Sequence, residues 1–172
     1  MSAILINPGG PGDKRSIALE TSKRRRIPNE QFPERPTESM QAARRQVTDG
    51  HPGRIPRSLS ATYNCVGMVF ANRRTSIDPE YVPAILADDG FALVEQLADV
   101  HRGDVVVYTD DHGDIAHVGI VIANELIFGT RQVLVLSQFG RDGEYFHPHN
   151  DVPDCYGKNI RFYSERRDLS AR

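Results

Sequence analysis

Cys65 and His117 are the residues whose types and settings suit acyl-transfer chemistry. Cys65 lies in "ATYNCVGMVFANRR", where Thr62, Tyr63 and Asn64 give way to the apolar run Val66 to Ala71. A cysteine flanked by Val, Met and Phe is most often a small packing residue. Its place in the first turn of a helix alters that reading. Unpaired N–H groups there favour thiolate over thiol, and the thiolate is the nucleophile. Such a nucleophile needs a base. His117 follows the loop "TDDHGDIA" and opens an apolar strand. Alone it reads as a half-exposed polar residue at a strand edge; beside Cys65 it reads as an imidazole able to accept the thiol proton.

A second group competes with this pair. His147, His149, Asp151, Asp154 and Cys155 are metal-ligand types in one short stretch. Their spacing matches no paired zinc motif, and "HPH" followed by "DVPDCYG" reads as a turn-rich polar surface loop. We therefore expect no metal and no cofactor.

The elements that must hold the pair are legible in outline. Asn64 suits the cap of the helix that Cys65 opens, with Arg73 and Arg74 at its far end. That helix is apolar nearly all round, so it should be buried. A short helix is expected from Pro36-Thr37 to Asp49-Gly50, with Met40, Ala43 and Val47 on one face. Asp78-Pro79 starts another, running to about Leu86. Residues 91–98 read equally as helix or strand. Strands follow: "GDVVVY", "HVGIVIAN" and "QVLVLSQ", with Leu126 to Phe128 as a brief extra one. In the second of these, His117, Gly119, Val121 and Ala123 share one face, and Val118, Ile120 and Ile122 the other. Helices first and antiparallel strands afterwards predict an α+β domain.

"YNC" opening an apolar helix, then "GDVVVY", then "HVGIVI", resembles the NlpC-type cell-wall peptidases and the related cysteine/histidine-dependent amidohydrolase/peptidases. The resemblance spans about residues 58 to 140. It implies a papain-like α+β domain, with N-terminal helices packed on an antiparallel sheet and a helix-borne cysteine facing a sheet-borne histidine. Cys65 would then be the nucleophile and His117 the general base. The orienting third residue would fall at the end of the next strand, on Gln138, with Ser137 beside it and His147 as an alternative. Tyr63 and Asn64 are expected near the oxyanion or substrate. The implied activity is a thiol hydrolase, a cysteine peptidase or amidase, acting on an amide, isopeptide or ester bond, with peptide, isopeptide or cell-wall-like substrates. The ending "SQFGRDGEYFHPHNDVPDCYGKNIRFY" and the lack of a wall-binding repeat depart from the family's usual pattern. The rival reading is a non-catalytic binding protein on the same scaffold.

Around this unit the chain is uneven. It has 172 residues, 39% hydrophobic and 26% charged, with a net charge of −2. Residues 1–57 carry 11 Lys/Arg against 6 Asp/Glu, and the remainder 10 against 17. Seven of the 11 prolines also fall in those first residues. Residues 1–35 show no lasting apolar period and read as a flexible arm, whose basic run Lys23 to Arg26 is either a solvated tail or a contact for a partner or nucleic acid. We therefore divide the chain into a basic, Pro-rich arm over 1–54 and a hydrolase domain over 55–172. Two cysteines are too few for a disulfide framework. No run reaches spanning length and the start lacks a signal core, so a cytoplasmic protein without membrane contact is expected.

Overall fold

The computed structural model describes residues 15–165, so the first 14 residues of the arm and residues 166–172 lie outside it. Nine strands and three α-helices are described: β1 (Asn29–Glu30), α1 (Thr37–Thr48), β2 (Ile55–Ser58), α2 (Cys65–Phe70), β3 (Ser76–Ile77), α3 (Val82–Asp89), β4 (Ala92–Val94), β5 (Val105–Thr109), β6 (Ile115–Ile127), β7 (Thr130–Gln138), β8 (Glu144–Pro148) and β9 (Asn159–Ser164). Seven strands form one antiparallel sheet in the order β2-β8-β7-β6-β5-β9-β4. The α+β class is as expected. Among the described residues no helix is long and apolar enough to cross a membrane.

The runs of adjacent β-branched residues follow from a sheet covered on both faces, where alternation with polar residues is not required. Val105, Val107 and Val118 pack with α2 and α3 through Cys65, Val66, Val82, Ile85 and Leu86. Val106, Tyr108, Val121, Val133 and Val135 pack on the opposite face with Val100 and Phe162. The expected faces of β6 hold from His117 to Val121. There a register shift between Val121 and Ala123 breaks the alternation.

The helix expectations hold at their starts. Asn64 caps α2, its Oδ1 accepting the Gly67 N–H at 2.9 Å and the Ile77 N–H at 3.1 Å. Asp78 accepts the Glu80 N–H, but the first turn after Pro79 is 3-10, and α3 ends at the left-handed Gly90. Gly67 has a steric reason. A Cβ there would lie 1.6 Å from the Thr75 carbonyl, so only glycine lets α2 sit against β3. Leu126 and Ile127 are the end of β6 rather than a separate strand. The turn-rich loop expected around His147 is instead largely β8, between β2 and β7.

The arm needs correction. From Arg15 onward it is laid along the domain as a strap, with bridges Arg15↔Gln31 and Glu20↔Arg26 and β1 paired to β3. Ile27 is buried in the α2/α3 core. Thr21 Oγ1 donates to Asp88, Ser22 N–H to Asp89, and Arg25 Nε reaches Asp88 at 2.7 Å. Acidic side chains at a helix C-terminus oppose its dipole. The strap therefore brings Lys23 and Arg25 to the end of α3 that lacks cations of its own. These ties explain why a segment without hydrophobic period is nevertheless ordered, and a division at residue 54 cuts through them.

Candidate functional site

Cys65 is the first residue of α2 and is only 6% exposed. Six residues make a short helix, so individual N–H groups matter here more than a macrodipole. Burial pushes the thiol up to about 11, while the N–H groups of Val118, Val66 and Cys65 act in the opposite direction. The sulfur thus lies against the backbone of β6 at the residue after His117, and the resting group is a thiol.

His117 is fully buried on the other face of β6. Its Nε2 hydrogen-bonds the Ser137 hydroxyl at 2.9 Å, and that hydroxyl bonds His147 Nε2 at 2.7 Å. His147 Nδ1 in turn meets the Pro148 carbonyl at 2.8 Å. Burial, reinforced by His147, holds the His117 pKa well below the usual imidazole range. Burial likewise lowers that of His147 to about 4. His117 Nδ1 has no hydrogen-bond partner. A buried polar atom left in that state costs free energy and calls for an explanation.

Gly119 makes the histidine–serine contact feasible. A Cβ there would stand 2.6 Å from Val135 Cγ1 and 3.1 Å from Ser137 Cβ. The β6–β7 pairing runs from Ile127↔Thr130 to Ile120↔Leu136, while Ser137 and Gln138 pair with β8. The β6–β7 ladder therefore ends at Ile120↔Leu136, and beyond it the side-chain bond from His117 to Ser137 joins the two strands.

Tyr156 closes this end. It lies in the turn Asp154–Tyr156, and its ring stacks on His117 at 4.0 Å and 7°. Burial raises its phenol pKa, with the Cys65 charge the next contributor. Tyr156 is thus in direct ring contact with His117. Phe139 and Tyr108 complete the aromatic wall at 5.6 and 5.5 Å from the imidazole.

The structure brings His117, Ser137 and His147 together on one face of the sheet and leaves Cys65 on the other, with no hydrogen bond between Cys65 and His117. Gln138 does not take the orienting role expected of it. Alternation turns it away from Ser137, and its amide donates to the Ser60 carbonyl at 2.8 Å. Tyr63 is likewise drawn elsewhere, its hydroxyl donating to the buried carboxylate of Glu144 at 2.9 Å. Arg73 binds the same carboxylate at 2.5 Å and Arg57 its other oxygen, so Arg73 does not serve the end of α2. Asn64 is a cap, and beside it opens a cavity of about 420 Å³ lined by Glu30, Asp78, Glu80 and Tyr81. The remaining metal-ligand types are dispersed: Asp151 pairs with Arg54 and His51, Asp154 with Lys158, and Cys155 is exposed. Among the described residues no cluster suited to a metal ion occurs.

Sequence reasoning missed Glu144 and Tyr156. Each is a single residue in a stretch dominated by turn formers, and its partners are supplied by distant strands. The class that can be stated is an α+β domain on a seven-stranded antiparallel sheet, with a buried His/Ser/His chain on one face and a buried cysteine on the other. Compared with protein-family models, curated proteins and solved structures, the chain matches none.

Proposed function

We propose that the protein is a thiol hydrolase of papain-like, NlpC-type descent, described here in a closed resting form. The observation that carries this reading is the unpartnered, buried Nδ1 of His117, next in chain to the residue whose amide meets the Cys65 sulfur. A neutral imidazole held at one nitrogen and bare at the other is a base awaiting a proton. On opening, the thiol proton passes to Nδ1 and the sulfur attacks an amide, isopeptide or ester carbonyl. The imidazolium then protonates the leaving group, and water hydrolyses the thioester. The cavity beside Asn64 adjoins the residue before Cys65, and its Asp78 and Glu80 carboxylates suit a peptide-like substrate carrying a cationic group.

Closure by Tyr156 makes the reading testable without a substrate. Cys155 is exposed and would react first, so Cys155→Ser is the background for alkylation by iodoacetamide. Tyr156→Ala should raise the Cys65 rate near neutral pH by about tenfold or more, since the thiolate is what reacts. Adding His117→Ala should remove that gain. A Cys65 that stays inert in the opened variant, indifferent to His117, would sink the hydrolase reading.

One observation favours a second reading. A thiol that is 6% exposed and pushed up to about 11 is also what a packing cysteine looks like. The protein would then be a binding module on the same scaffold, with the strap and its basic residues as the partner contact. Inert Cys65 in the opened variant is the result this reading requires.

A further inference from the structure

We infer that His147 is a positioning residue that fixes the tautomer of His117 through the Ser137 hydroxyl, leaving Nδ1 as the bare, basic nitrogen. The inference deepens the hydrolase reading and rests on it for its catalytic meaning. The hydrogen-bond assignment itself stands on the geometry of the chain and on the neutrality of a buried His147.

The chain of donors and acceptors has a fixed end. The Pro148 carbonyl can only accept, so His147 Nδ1 must carry the hydrogen of their 2.8 Å contact. Burial keeps His147 neutral near pH 7, so its Nε2 bears a lone pair and accepts. The Ser137 hydroxyl, 2.7 Å away, has one hydrogen and must donate it there. Its oxygen is then the acceptor for His117 Nε2 at 2.9 Å, so that nitrogen carries the hydrogen. A neutral His117 has no second one, and Nδ1 is bare. The two buried histidines thus hold opposite tautomers, protonated on Nε2 at His117 and on Nδ1 at His147.

This differs from a carboxylate or amide bonded directly to the imidazole. The orienting group acts through an intervening hydroxyl, and its direction is set by a backbone carbonyl that cannot reverse. When His117 takes the thiol proton on Nδ1, Nε2 keeps its hydrogen on Ser137, so no bond in the chain needs to turn.

Imidazole nitrogens of the ¹⁵N-histidine-labelled full chain can be read by long-range proton–nitrogen correlation near neutral pH. The expected pattern is a protonated-type Nε2 and bare-type Nδ1 for His117, and the reverse for His147. In His147→Phe the Ser137 hydrogen loses its acceptor and becomes free to donate to His117 Nε2, so the His117 pattern should move toward the Nδ1-protonated form. Ser137→Thr should keep the wild-type pattern and Ser137→Ala should blur it into a mixture. A wild-type His117 protonated on Nδ1 overturns the inference, as does a His147→Phe variant with the His117 pattern unchanged. If His147→Phe does not fold, the wild-type pattern and the two serine variants decide. Neither substrate nor thiol enters the measurement. An inert Cys65 would therefore remove the hydrolase reading and leave the tautomer assignment standing, whereas a His117 protonated on Nδ1 would overturn the assignment and take from the hydrolase reading the base it rests on.

Discussion

Two buried imidazoles with lowered pKa values make stability depend on pH in a window set by histidine rather than by carboxylates. His147 titrates near 6.5 when unfolded and about 4 when folded, with burial the cause. Between those values the unfolded chain binds the extra proton, so stability rises with pH there and is lost as pH falls from 6.5 to 4. The difference corresponds to roughly 3 kcal/mol for His147, and His117 acts in the same direction. Asp88, lowered by its bond to Arg25, adds a loss only at still lower pH. Denaturant melts followed between pH 7 and 4 should show a steep decline that His147→Phe makes shallower. An equally steep slope in that variant would mean that the residue titrates in contact with water.

Among the elements, the strap holds the most testable surprise. Ile27 is 4% exposed in the core beneath α2 and α3. Removing such a side chain costs about 2–5 kcal/mol in a well-packed core. Ile27→Ala should lower the urea midpoint accordingly, and deletion of residues 1–31 should lower Tm further. An unchanged Tm after the deletion would show that the strap is a detachable tail. The strap was illegible because its anchors, Ile27, Thr21, Ser22 and Arg25, follow no period, and their partners Asp88 and Asp89 are far away in sequence. By contrast α1, the Asn64 cap and β5 to β7 were legible, since a cap, a breaker and a β-branched run are local signals. The site divides the same way. Cys65 and His117 were visible from residue type and position. Choosing Ser137 over Gln138 required knowing which of two adjacent residues shares the His117 face. That is a matter of pairing register, and a displacement of one residue exchanges the faces. His147 looked like loop chemistry because Pro148 obscured a strand whose neighbours are β2 and β7.

At the scale of the molecule, Glu144 joins parts that the sheet alone does not. Its buried carboxylate receives Tyr63 ahead of α2, Arg57 from β2 and Arg73 after α2. Asn72 and Arg73 take positive φ angles of 50° and 65°, a conformation non-glycine residues rarely adopt. The ion pair holds that turn together with the N–H groups of Arg73 and Arg74, which donate to the Gly67 and Ala71 carbonyls. Removing the carboxylate leaves the buried Tyr63 hydroxyl unpaired, while Arg57 and Arg73 still reach water, so the cost falls below the roughly 3–5 kcal/mol of a fully buried pair. Glu144→Ala should therefore destabilise the fold by about 1–3 kcal/mol in chemical denaturation, and Glu144→Gln by less. A loss below 1 kcal/mol would place the carboxylate on a surface open to water.

The strand order also sets a timetable for synthesis. β9 lies between β5 and β4 and supplies hydrogen bonds to both. It is translated last of the three, so the "VVVY" run leaves the ribosome with one of its two flanks vacant. At elongation speeds of about 5–20 residues per second, that flank stays open for roughly 3–10 s. An apolar, β-branched edge exposed for that long is a template for pairing with another nascent chain. Slower translation between β5 and β9 would lengthen the exposure, and a chaperone that shields strand edges would have its greatest effect in that interval.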